Sequence, residues 1–258
     1  MNDLSIMERF GADPHATIGA NLHEIRRRIA AACERAGRRL DEVRLLPVSK
    51  TVPETVIREA VRHGLTFLGE NKVQEARLKA EGMSDLPIRW SIIGHLQANK
   101  AKYVARFATE FQALDSVKIA QALEERLEIE GRTLDVLVQV NTSGETTKFG
   151  LSPEAVLPLL NALPDYPRLR VRGLMTLALF SDDKEAVRRC FVKLRGLRDR
   201  LRGEAPEGIA LDELSMGMSG DYEIAIEEGA TIVRVGQALF GKRPGSDAHY
   251  WPGLIPGN

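Results

Sequence analysis

Eight short apolar runs of β character, separated by stretches of helical periodicity, constrain this chain more than any other feature. They fall at Val43–Ser49, Thr66–Gly69, Trp90–Ile93, Phe111–Leu114, Leu134–Val140, Val171–Met175, Leu211–Leu214 and Thr231–Val235. Strands that alternate with helices call for parallel pairing, because each return to the same sheet edge needs a helix-length crossover. Eight such units predict an α/β fold closed as a (β/α)8 barrel of the TIM type; a doubly wound open sheet is the alternative. The 258 residues suit one such domain, since single domains run to roughly 250 residues. No Gly/Ser- or Pro-rich linker divides them. The hydrophobic fraction of 43% is enough to fill the core that a barrel requires.

One helix is expected ahead of the first strand. Asp13-Pro14 offers an N-cap followed by proline at the first helical position, Ile18, Leu22, Ile25, Ile29 and Cys33 recur at helical spacing, and Gly37 can end the run. Ser181 to Leu201 is the clearest later helix, with Val187, Cys190, Phe191, Leu194, Leu197 and Leu201 on one face. Ser152-Pro153-Glu154 is another start signal. Both cysteines lie on apolar stripes and read as small core residues, without metal-ligand spacing.

Several function classes are disfavoured. Lys and Arg number 36 and so do Asp and Glu, a balance unlike the basic surplus of nucleic-acid-binding domains. No window approaches the roughly 18 apolar residues of a membrane helix. The amino end carries acids where a signal peptide has basic residues and then an apolar run. A reduced, cytoplasmic, monomeric chain is expected, its barrel spanning about 14–241 and its tail, 242–258, carrying no motif.

In a barrel the polar residues just after each strand form the working end. The first handover reads Leu45-Leu46-Pro47-Val48-Ser49-Lys50-Thr51. Lys50 is either a rim lysine with its ammonium in water, or an amine whose pKa is lowered for Schiff-base chemistry. After the seventh strand comes Ser215-Met216-Gly217-Met218-Ser219-Gly220-Asp221, and the eighth reads Val233-Arg234-Val235-Gly236. These two loops commonly hold phosphate in barrels, and Gly217 and Gly236 would let backbone approach it closely. Alternatively Ser219 caps the next helix and the glycines only turn the chain. A phosphate site opposite a lysine would fit pyridoxal 5′-phosphate.

Ser49-Lys50-Thr51, Gly69-Glu70-Asn71-Lys72-Val73-Gln74-Glu75, Ile93-Gly94-His95-Leu96-Gln97-Ala98-Asn99-Lys100, Leu174-Met175, Leu214 to Ser219 and Val233 to Gly236 together resemble the YggS-type pyridoxal-phosphate homeostasis proteins, whose fold is similar to the barrel domain of alanine racemase. The likeness spans about residues 14 to 241, with every motif at a strand's carboxyl end. It implies that Lys50 is the Schiff-base lysine and that Ser215, Ser219 and Gly236, with backbone N–H groups of the Met216–Gly217 loop, hold the phosphate. It further implies that Arg234 faces the pyridine nitrogen, that Asn71 lies beside the ring and that Met175 lines the pocket. His95 either faces the site or fixes a loop by hydrogen bonding. The polar loop Asn141 to Gly150, alike in Asn141, Glu145, Lys148 and Gly150, is either a flap near the cofactor or an ordinary connection. The cluster Arg26-Arg27-Arg28 with Arg38-Arg39 reads as a solvated helix face.

Three functions compete. The chain is a carrier that binds pyridoxal phosphate and delivers it to apoenzymes, a racemase-like enzyme, or a phosphate-binding barrel with an aldolase-type lysine. The third lacks an expected carboxylate near Lys50. The second needs the β domain that alanine racemases add, and only about 17 residues follow Gly241, too few for one. The carrier is therefore the expectation, with no residue in a dedicated catalytic role and no metal site.

Overall fold

The computed structural model describes residues 3–145 and 148–241, with side chains from residue 7 onward. Two helices lead the chain, α1 (Asp3–Phe10) and α2 (Pro14–Arg35). Eight strand–helix units follow. They are β1 (Arg44–Pro47) with α3 (Glu54–Arg62), β2 (Phe67–Glu70) with α4 (Val73–Gly82), β3 (Arg89–Ile92) with α5 (Ala101–Phe107), and β4 (Ala108–Leu114) with α6 (Val117–Glu130). The second half comprises β5 (Leu134–Gln139) with α7 (Val156–Ala162), β6 (Leu169–Met175) with α8 (Lys184–Leu201), β7 (Glu213–Ser215) with α9 (Tyr222–Glu227), and β8 (Ile232–Val235) with α10 (Gln237–Phe240).

All pairings are parallel, and the sheet runs β1-β8-β7-β6-β5-β4-β3-β2. The ring closes where Val48 bridges Gly69 and the Ser49 N–H donates to the Gly69 carbonyl at 3.0 Å. The eight apolar runs therefore became eight strands of one barrel, and the open-sheet alternative falls away.

Local signals set the helix bounds. The Asp13 carboxylate accepts from the Ala16 N–H at 3.0 Å and Pro14 opens α2, whose Ile18, Leu22, Ile25, Ile29 and Cys33 are buried. The long helix starts at Lys184, three residues after Ser181, because Asp183 takes the N-cap and accepts from Glu185 and Ala186. Ser152-Pro153 begins with a short 3₁₀ turn that continues into α7. Helix α1 carried no signal in the sequence; its Phe10 is buried.

The barrel interior is not wholly apolar. Ser91, Glu110, Gln112, Thr176, Ser215 and Arg234 are all buried, and such groups are tolerated only when paired. They are paired in sequence along the axis. Arg44 donates to Glu110 Oε2 at 2.6 Å, Ser91 and Gln112 donate to Glu110 Oε1 at 2.6 and 2.5 Å, and Ser215 Oγ donates to Gln112 Oε1 at 2.6 Å. This polar column rises from the amino end of β1 to the carboxyl ends of β7 and β8.

Candidate functional site

The strand registers level the functional residues at one end of the barrel. Pro47 pairs with Val235 and Met175 with Ser215, so the residues after β1, β6, β7 and β8 share a rim. Lys50, two residues beyond the β1 bridge, is buried with 8% exposure. Ser49 and Thr51, its neighbours, are held by side chains of α4 and by Glu70 of β2. Lys79 Nζ donates to the Ser49 carbonyl at 2.8 Å, to Glu70 Oε1 at 2.7 Å and to Glu75 Oε1 at 2.7 Å, while Ser49 Oγ donates to Glu70 Oε1 at 2.7 Å.

Glu70 is fully buried, and its second oxygen, Oε2, has no hydrogen-bond partner. Burial, opposed by the nearby Lys79 ammonium, pushes its carboxyl up to about 7. A protonated Glu70 leaves the cluster neutral, with Lys79 balanced by Glu75. An acid at the end of β2 thus folds under the Ser49 turn, where a lysine nine residues later meets it.

Across the rim, Arg234 is buried and has two hydrogen bonds: Nη1 donates to Ser215 Oγ at 2.6 Å and Nη2 to the Thr176 carbonyl at 2.8 Å. Burial lowers its pKa to about 10, partly offset by Asp221, so it remains cationic at neutral pH. Ser219 Oγ accepts from the N–H groups of Gly236 and Ala238, both at 3.3 Å, and so joins the β7 loop to the segment after β8. Asp221, not Ser219, occupies the N-cap of α9. Gly217 has φ of 92°, and a Cβ there would meet Ala225 Cβ at 2.5 Å and Tyr222 Cα at 2.9 Å, so only glycine lets the loop fold against α9.

Other expected site residues take clear positions. Met175 and Met216 are fully buried in the core, and the Met216 N–H is spent on the Ile232 carbonyl. Asn71 follows β2, and its carbonyl oxygen lies where a Cβ on Gly94 would come within 2.3 Å, so it packs on the β3 loop. His95 Nδ1 is 3.4 Å from Asp115, and its ring stacks on Phe149 with centroids 4.0 Å apart. That stack joins the loop after β3 to the Asn141 loop, which is organised by Asn141 Nδ2 donating to the Glu145 carbonyl at 2.8 Å. Lys148 Nζ donates to the Ala178 carbonyl at 3.0 Å and pairs with Glu145. Thr146, Thr147 and the 242–258 tail lie outside the described residues. The arginine cluster is a paired surface, with Arg27 on Glu24, Arg28 on Glu223 and Arg39 on Asp41.

Comparison with known proteins decides the family. The family described as alanine racemase, N-terminal domain, matches residues 20–244. A pyridoxal phosphate homeostasis protein of Aquifex aeolicus is 46% identical over 86% of this chain and 96% of its own. The chain belongs to the pyridoxal phosphate homeostasis family. Within that family, PipY of Synechococcus elongatus, solved with pyridoxal phosphate bound, superposes with a TM-score of 0.74 at 34% identity, covering 83% of this chain and all of PipY. A protein of unknown role from Bifidobacterium adolescentis gives a TM-score of 0.82 at 35% identity, over 93% of this chain and 97% of its own.

Proposed function

We propose that this protein binds pyridoxal 5′-phosphate on Lys50 and serves its homeostasis by holding the cofactor and delivering it to apoenzymes, without dedicated catalysis. The observation that supports this reading best is the placement of three unlike groups on one rim: the buried Lys50, the buried Arg234, and the Ser219 hydroxyl with the Gly236 and Ala238 N–H groups. That set fits the cofactor's three ends, namely aldehyde, ring nitrogen and phosphate. When bound, the cofactor supplies an aldehyde carbon with which a neutral amine condenses to a Schiff base, one water leaving.

In this reading Ser219 and the backbone N–H groups around Gly236 hold the phosphate, because an anion takes the place of the hydroxyl as acceptor. Gly217 lets the loop lie close, and Met175 and Met216 back the site from the core. Ser215 has its hydroxyl committed to Arg234 and Gln112, so it acts by fixing the guanidinium. Arg234 can only donate, and so it keeps the pyridine nitrogen unprotonated. Asn71 lies beside the ring, and His95 with Phe149 holds the neighbouring loops together.

The test is transfer. The loaded protein, mixed with a pyridoxal-phosphate apoenzyme, restores that enzyme's activity faster than the same cofactor trapped by a non-specific protein. Restoration no faster than from that control contradicts delivery. Cytoplasmic placement agrees with such a role, and no described helix is long and apolar enough to cross a membrane.

A further inference from the structure

Thr51 follows Lys50 directly and has φ of 62°, a region that β-branched residues rarely enter. It is the third residue of a turn closed by the Val52 N–H on the Ser49 carbonyl at 2.9 Å, where a positive φ ordinarily calls for glycine. A strained residue persists only where its surroundings over-determine it. Here they do. The Thr51 N–H donates to Glu75 Oε1 at 2.6 Å, while its carbonyl accepts from Arg9 Nη1 at 2.6 Å and its Oγ1 from Arg9 Nη2 at 3.1 Å. Glu75 belongs to α4 and Arg9 to α1, so both grips come from outside the barrel wall.

The arm that carries Arg9 is itself anchored. Phe10 is buried, and Arg9's carbonyl oxygen sits so close to Gly241 that a Cβ there would come within 2.7 Å. Arg9, near the carboxyl end of α1, thus touches both the lysine turn after β1 and the chain after α10. It precedes residue 20, where the family match begins.

We propose that Arg9 is a positioning residue for Lys50: by fixing Thr51 in its left-handed conformation it aims the lysine into the barrel mouth, so that covalent capture of pyridoxal phosphate depends on α1. This rests on Lys50 being the capturing amine.

The test uses the full chain and two probes. Pyridoxal 5′-phosphate can be captured; pyridoxine 5′-phosphate has the same ring and phosphate but an alcohol in place of the aldehyde. Arg9→Ala should slow capture by about tenfold or more, since misplacing a reacting group by about 1 Å can cost on the order of a hundredfold. It should bind pyridoxine phosphate within about twofold of the parent, because the phosphate loops are untouched. Arg9→Ala with Thr51→Gly should recover capture, since glycine adopts positive φ without a clamp. Parent-like capture by Arg9→Ala overturns the proposal, as does equal loss of both probes without recovery by Thr51→Gly. Peptide mapping of the borohydride-reduced parent separates the two claims. An adduct on Lys50 leaves the Arg9 result to stand or fall alone, whereas an adduct on another lysine overturns the assignment of Lys50 itself.

Discussion

Ser215 and Arg234 are joined by a 2.6 Å hydrogen bond across the seam between β7 and β8, and the same hydroxyl donates to Gln112 inside the barrel. The guanidinium is therefore tied into a column of buried polar groups that reaches Glu110 and Arg44. Its position is set by the core, before any ligand arrives.

Ser215→Ala should consequently act on stability. It leaves Arg234 and Gln112 each short of a partner in a dry interior, and an unpaired buried polar group costs about 1–3 kcal/mol. Chemical denaturation should show a loss of about 2 kcal/mol or more. A change within about 0.5 kcal/mol, as for a surface substitution, would contradict the column as described.

Ser219→Ala should act on the phosphate instead. Losing one charge-assisted hydrogen bond, worth roughly 1.5–3 kcal/mol, weakens binding about ten- to a hundredfold. A bulky residue at Gly236 should weaken it further by blocking backbone approach. Equilibrium dialysis with pyridoxal phosphate and pyridoxine phosphate checks both, and parent-like affinity for Ser219→Ala would place the phosphate elsewhere.

Glu70 gives the protein a pH signature. Burial raises its carboxyl from an ordinary 4.5 to about 7, so the native state keeps a proton that the unfolded chain releases between those values. The stability this proton supplies is complete below about pH 4.5 and is lost as pH rises through about 7, on the order of 3 kcal/mol by the usual conversion. Glu70→Gln, which resembles the neutral carboxyl, should flatten that part of the stability profile. Thermal midpoints measured across the window check this; identical slopes for parent and variant would contradict it.

In its proposed place beside the pyridine nitrogen, Arg234 predicts little amino-acid turnover. An unprotonated pyridine nitrogen makes a poorer electron sink, so carbanion chemistry gains less from the cofactor. Chiral chromatography and keto-acid detection over a panel of amino acids should show no substantial racemisation, transamination or decarboxylation. Turnover near the common enzymatic value of about 10 s⁻¹ would overturn the carrier reading.

Much of this architecture was legible in the sequence because it is written in periodicity. Each of the eight apolar runs is a strand, and Asp13-Pro14 opens its helix, since caps and alternation act over a few residues. Lys50, Ser219, Arg234 and Gly236 were legible as residues at strand ends. The support beneath them was not. Ser215 and Gln112 meet from positions 103 residues apart, and Lys79 reads as a helix-surface lysine until β1 and β2 bring Ser49 and Glu70 over it. Helix α1 is too short for periodicity to announce, and nothing local marks Arg9 as the partner of Thr51.

The assignment of Lys50 is tested most directly by borohydride reduction of the loaded protein followed by peptide mapping. One pyridoxyl group is expected on Lys50, lost in Lys50→Ala, which should still fold and retain weaker, non-covalent binding through the phosphate loops. A pyridoxyl group found on Lys72, Lys100 or Lys148 with Lys50 unmodified would contradict it.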